Sequence, residues 1–162
     1  KKTRILTLNP VDIEFQNLTL SLQTKLFFQE GSSDIRIDRT ILNMSRPDAK
    51  VELDEYMVAC YGTTEYAEDM TSLTLGCVKG TEEKTIAYAY KCREEGIEGA
   101  DSVYAVLPPV KTRVTMTAKG EGQAKGYVKE GYAFSPMFTL GYTTTLSDKE
   151  VFSTWLKLQR ED

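Results

Sequence analysis

Acid–base chemistry in this chain would have to come from carboxylates, because none of the 162 residues is histidine. Asp54-Glu55, and Glu65 with Glu68 and Asp69, are groupings from which a carboxylate glycosidase could be built. On a helix face the same residues make an ordinary wet surface, and that reading is favoured. Glu94, Glu95, Glu98 and Asp101 offer hard oxygen ligands for Ca²⁺ but lack the D-x-D-x-D-G spacing, so they read as a solvated acidic loop. Tyr88 and Tyr90 lie two apart and would share one face of a strand. With Tyr127 and Tyr132 they could stack on sugars or bases, although core packing is the commoner use of such residues.

The missing histidine removes the Ser-His-Asp and Cys-His pairs and the zinc sites that contain it. Cys60, Cys77 and Cys92 form no C-x-x-C and read as small buried apolar residues. A tight hairpin turning at Thr81–Glu83 would set Cys77 opposite residues near Ala87, which predicts no Cys77–Cys92 bridge. Asn17-Leu18-Thr19 and Asn43-Met44-Ser45 fit the glycosylation sequon, but Asn17 is expected inside a strand. Gly120-Glu121-Gly122 and Gly126 match a phosphate loop only loosely and read as a hairpin tip. Val11 to Leu22 resembles the opening strand of ABC-transporter nucleotide-binding domains, yet no G-x-x-x-x-G-K-[ST] follows. No metal and no other cofactor is expected.

The elements that must position these residues are strands. Nineteen threonines, nine tyrosines and six phenylalanines suit a pleated surface. Val11, Ile13 and Phe15 alternate with acids, and Leu18, Leu20 and Leu22 follow with the phase slipped at Gln16-Asn17. That slip predicts a bulge or a change of sheet. Further strands are expected at Lys25–Gln29, Asp34–Arg39, Leu73–Val78, Ile86–Cys92, Val103–Leu107, Val110–Lys119, Tyr127–Phe134 and Met137–Leu146. Ser45 as cap, Pro47 in a first turn and Gly62 beyond the end predict one helix over Pro47–Tyr61. The C-terminal segment fits a helix opened by the capping box Ser147–Glu150, or a strand through Phe152, Thr154, Leu156 and Leu158; the strand is preferred. The expectation is one all-β domain over residues 1–162, a sandwich or barrel, with a helix inserted near 47–61.

Charge is unevenly distributed. Residues 30–70 hold ten acids and four bases, and residues 111–129 hold five bases and one acid. The overall balance of −4 argues against nucleic acid, and no apolar run approaches the ~20 residues of a spanning helix, so membrane insertion is not expected. A basic hairpin carrying Lys111, Arg113, Lys119, Lys125 and Lys129 could meet Glu52, Glu55, Glu65 and Asp69 of a second copy, head to tail. The primary expectation is therefore a non-enzymatic, self-associating subunit of a ring, tube or shell, such as a virion or phage-tail component. The alternative is an extracellular β-barrel or sandwich that binds a small apolar ligand or a glycan, and a carboxylate enzyme comes third. The chain opens at Lys1 without Met, which fits a removed leader or a preceding segment. A virion or extracellular setting is favoured over the cytoplasm.

Overall fold

The computed structural model describes residues 1–60, 73–87, 94–107, 110–120, 124–130 and 137–161. Among them are thirteen strands: β1 (Thr3–Thr7), β2 (Val11–Phe15), β3 (Leu18–Gln29), β4 (Asp34–Met44), β5 (Val51–Cys60), β6 (Thr74–Lys79), β7 (Glu82–Ala87), β8 (Glu94–Glu98), β9 (Ser102–Leu107), β10 (Thr112–Gly120), β11 (Lys125–Glu130), β12 (Met137–Leu146) and β13 (Val151–Arg160). A nine-stranded sheet runs β1-β3-β4-β13-β10-β9-β6-β7, with β2 also paired to β3; a four-stranded sheet runs β5-β12-β11-β8. Every pairing is antiparallel. The sandwich fold inferred from composition and alternation is the observed one.

The two sheets bury the side chains of one parity against each other. Ile41, Phe152, Met116, Val103 and Leu75 come from the larger sheet, and Phe138, Leu140, Tyr142 and Leu146 from the smaller. Each large apolar side chain withdrawn from water in this way contributes about 1.5–3 kcal/mol. Tyr142 carries a hydroxyl into this core and donates it to Ala100 O at 3.2 Å, which satisfies the polar atom. Burial pushes the Cys77 thiol up to about 11, so it stays protonated near neutrality and packs as an apolar residue.

Several local expectations are corrected. The helix expected over 47–61 does not form within the described residues 47–60, because Val51–Cys60 is strand β5, an edge of the smaller sheet. Its inward parity is Val51, Leu53, Glu55, Met57 and Ala59, and Glu55 interrupts what would otherwise be a plain apolar alternation. The phase slip at Gln16-Asn17 is a two-residue turn, with Gln16 at φ 52° and Phe15 paired to Leu18, so Asn17 is a turn residue. Lys25–Gln29 is the second half of the long β3. The acidic loop at 94–99 is largely strand β8. The β6–β7 turn is two residues, Gly80-Thr81, so Cys77 faces Lys84, not Ala87; Cys92 lies outside the described residues. The C-terminal strand is confirmed as β13. Its capping-box residues close a turn between the two sheets instead of starting a helix, with Ser147 N donating to Glu150 Oε2 at 2.7 Å.

Among the described residues an ion pair spans the interior. Arg39 on the inner face of β4 reaches Glu55 across the sandwich, with Nε 2.5 Å from Oε2 and Nη2 3.0 Å from Oε1. Its Nη1 donates to Thr24 Oγ1 at 2.6 Å. The planar guanidinium fork matches the carboxylate, and the third bond uses a neighbouring hydroxyl on β3.

Candidate functional site

Parity places a second set of side chains on the outer face of the nine-stranded sheet. One row across the strands reads Phe27, Arg36, Trp155 and Thr117. The adjacent row reads Lys25, Asp38, Ser153 and Lys119. A third contains Asp34, Lys157, Thr115 and Tyr104.

Arg36 lies over the Phe27 ring, 3.7 Å from its centre. Its Nε is 3.2 Å from Asp38 Oδ1, close enough for attraction. The geometry is nevertheless wrong for a hydrogen bond, and both atoms are buried without a hydrogen-bond partner among the described residues, as is Asp34 Oδ1. Leaving a buried polar atom unmatched costs about 1–3 kcal/mol, which the charge attraction between Arg36 and Asp38 offsets in part. Trp155 is half-buried beside them, and the Lys119 ammonium sits 5.9 Å from its ring centre. Asp38 and Lys119 flank Ser153 at two strand spacings, roughly 9–10 Å. An indole floor with a carboxylate on one side and an ammonium on the other is thus built from β4, β13 and β10.

Tyr104 lies flat across Gly76 on the same face, and its hydroxyl donates to Glu83. Arg113 covers it, 4.3 Å from the ring centre, and is tied to Glu161 at 2.7 Å. Burial, and then the bond to Glu83, push the Tyr104 phenol up to about 12. Burial acts in the same direction on Tyr127 and Tyr142. The unfolded chain ionises near pH 10, before these phenols do in the folded state, so the phenols' contribution to stability is complete below that pH and is lost as pH rises from about 10 to about 12 and beyond. Urea unfolding from pH 8 to 12, with phenolate absorbance followed in the folded protein, should show both the falling midpoint and the delayed titration. A midpoint flat across pH 10–12 would contradict it.

The outer face of the smaller sheet repeats the construction. Tyr127 lies across Gly141 and donates to Asp54 Oδ1 at 2.7 Å. Lys125 and Lys129 stand opposite Glu98 and Glu94 of β8. A depression of about 330 Å³ lies among Asp54, Tyr56, Glu94, Lys125 and Lys129.

The residues singled out from sequence are therefore divided. Lys119 and Arg113 share the outer face of the larger sheet with Asp34 and Asp38, while Lys125 and Lys129 share that of the smaller sheet with Asp54 and Glu52. Lys111 occupies the turn before β10, and Glu55 is interior. The expected basic hairpin does not exist as such, because β10 and β11 belong to different sheets. The acidic and basic stretches are interleaved on shared faces. Glu65 and Asp69, and Tyr88, Tyr90 and Tyr132, lie outside the described residues. Asp101 caps the β6–β7 turn, accepting Gly80 N–H at 2.7 Å, and no metal-like cluster of acids or cysteines occurs among the described residues. Phe27, Asp34, Arg36, Asp38 and Trp155 were missed as a site. The available signal was the single tryptophan, in a strand, together with acid–Arg–acid alternation over 34–38.

No family model matches the chain, and no curated protein matches its sequence. Solved structures do share the fold. A protein of Escherichia coli K12, provisionally named an aldose 1-epimerase, superposes with a TM-score of 0.61 at 8% identity, covering 98% of this chain and 65% of that one. The Slr1438 protein of Synechocystis sp. PCC 6803 superposes with a TM-score of 0.59 at 10% identity, covering 99% and 63%. This chain spans a little under two thirds of their length. These likenesses overturn the expectation of a virion or self-assembling structural subunit, since the architecture is shared with a protein bearing a sugar epimerase's name. The expectation of a non-enzyme, which rested on the missing histidine, is corrected on the same finding.

Proposed function

We propose that the protein binds a carbohydrate on the outer face of the nine-stranded sheet and acts on its anomeric centre. The observation that carries this reading is the half-buried Trp155 on the outer face, bordered by Arg36 and Asp38 on one side and Lys119 on the other. A pyranose has an apolar C–H face to lay on an indole and a rim of hydroxyls that both donate and accept. Asp38 accepts from that rim, and Arg36 and Lys119 donate to it. The name of the Escherichia coli protein supports the same ligand class.

Interconverting anomers requires one group to take the proton of the anomeric hydroxyl while another protonates the ring oxygen, so that the ring C–O bond opens and recloses on the other face. Asp38 and Lys119, facing each other across Ser153, would serve as base and acid. Trp155 is the one tryptophan of the chain, so its emission reports on this site without labelling. Aldoses should shift that emission, and Asp38→Asn should weaken binding about tenfold or more, the scale of one charged hydrogen bond. By polarimetry, Asp38→Asn and Lys119→Met should each lose most of any anomerisation rate. An emission spectrum indifferent to every aldose tried, with fold intact, would remove the proposal.

A further inference from the structure

An apolar cavity lies away from that face. A crevice of about 610 Å³ opens at the side of the sandwich, where the β2–β3 hairpin overhangs the edge strand β5. Ile13, Phe15, Leu20 and Leu22 form one wall and Val51 and Leu53 the other, with the fully buried Leu146 at the base. The volume is that of a small-molecule site, typically ~300–1,000 Å³. The inward row of β2 is left uncovered: Val11 is 59%, Ile13 40% and Phe15 64% exposed. Arg46 and Lys50 stand among the lining residues, exposed and without an ion-pair partner among the described residues, and Glu52 is the acid among the lining.

We propose that this crevice binds a single-chain amphiphile with an anionic head, such as a long-chain carboxylate. The alkyl chain lies between the two apolar walls, and the head meets Arg46 and Lys50. A sugar does not fit the two walls, which are apolar and leave its hydroxyls without partners. A second copy docked about a two-fold axis would bring Arg46 and Lys50 against their own equivalents, a like-charge contact that disfavours it. The argument is independent of the carbohydrate reading, since the two sites share no residue.

Calorimetric titration of the full chain with laurate, hexanoate, dodecanol and dodecylammonium, all below micelle formation, tests it. Laurate should bind one to one, with hexanoate and dodecylammonium each at least tenfold weaker. The double variant Arg46→Glu with Lys50→Glu should reverse the preference between the charged heads while leaving dodecanol within about twofold. Ala49→Phe, which narrows the crevice, should weaken laurate and dodecanol alike; if that variant does not fold, Ile13→Asn at its exposed position gives the same reading. Trp155 emission should not respond to laurate, which separates this site from the carbohydrate face. No binding of laurate, equal affinity for the two charged heads, or a concentration-dependent dimer abolished by Phe15→Ser would each overturn the proposal.

Discussion

Glu55→Ala should lower stability by about 3 kcal/mol, the low end of what is lost when one partner of a buried ion pair is removed. Glu55 is 6% exposed, and its carboxylate is the counter-charge to a guanidinium held between the sheets. Removing it leaves Arg39 with Thr24 Oγ1 as its interior side-chain partner among the described residues. The low end applies because the Arg39 side chain remains 28% exposed and can draw some solvation. Two accompanying variants identify the cause. Glu55→Gln keeps an acceptor and should lose less, whereas Arg39→Met combined with Glu55→Leu should recover most of the loss, because it removes both charges from the sandwich. Urea unfolding with an unchanged slope is the measurement. A loss under about 1 kcal/mol for Glu55→Ala would mean that Arg39 swings out to water.

Gly141→Ala and Gly76→Ala should each cost about 1–3 kcal/mol, although alanine is small and both positions are in strands. A Cβ at Gly141 would stand closer than 3.0 Å to the Tyr127 ring, and one at Gly76 would do the same to Tyr104. The ring must lift, and lifting breaks its hydroxyl bond to Asp54 or to Glu83. The cost therefore belongs to a pair and not to the glycine alone. In a Tyr127→Ala background the Gly141→Ala penalty should largely vanish, and a double-mutant cycle reads that coupling. Equal penalties in both backgrounds would place the strain in the strand itself.

Strands were legible where the buried parity was apolar. Met137–Leu146 was expected with its observed bounds, because Phe138, Leu140, Tyr142 and Leu146 share one parity while Thr139, Thr143 and Thr145 hold the other. Val51–Cys60 read as a helix because Glu55 occupies an inward position, and nothing local announces that its partner is Arg39, sixteen residues away. Glu94–Glu98 read as a loop because two of its acids point outward and Gly96 lies between them. The candidate site was hidden for a different reason. Its members come one or two at a time from β3, β4, β13 and β10, so no window of sequence contains them together. Charge statistics found Lys119 and Asp38 as members of opposite runs, but linear spacing could not show that β13 would bring them within a sugar's width.

The position of β13 also sets the order of events during synthesis. It lies between β4 and β10, pairing Val151–Lys157 with one and Phe152–Arg160 with the other. Until β13 leaves the ribosome, β4 and β10 each present an open ladder, and the middle of the larger sheet cannot exist. β1 to β4 can pair as hairpins as they emerge, but the candidate carbohydrate face and the core above Phe152 must await β13. Such long-range closure is slow, on the order of milliseconds to seconds, and exposes strand edges while it waits. A chain shortened before β13 would lose its central strand and not a dispensable tail. It should accumulate as a chaperone client, whereas a chain lacking only β1 would give up an edge strand.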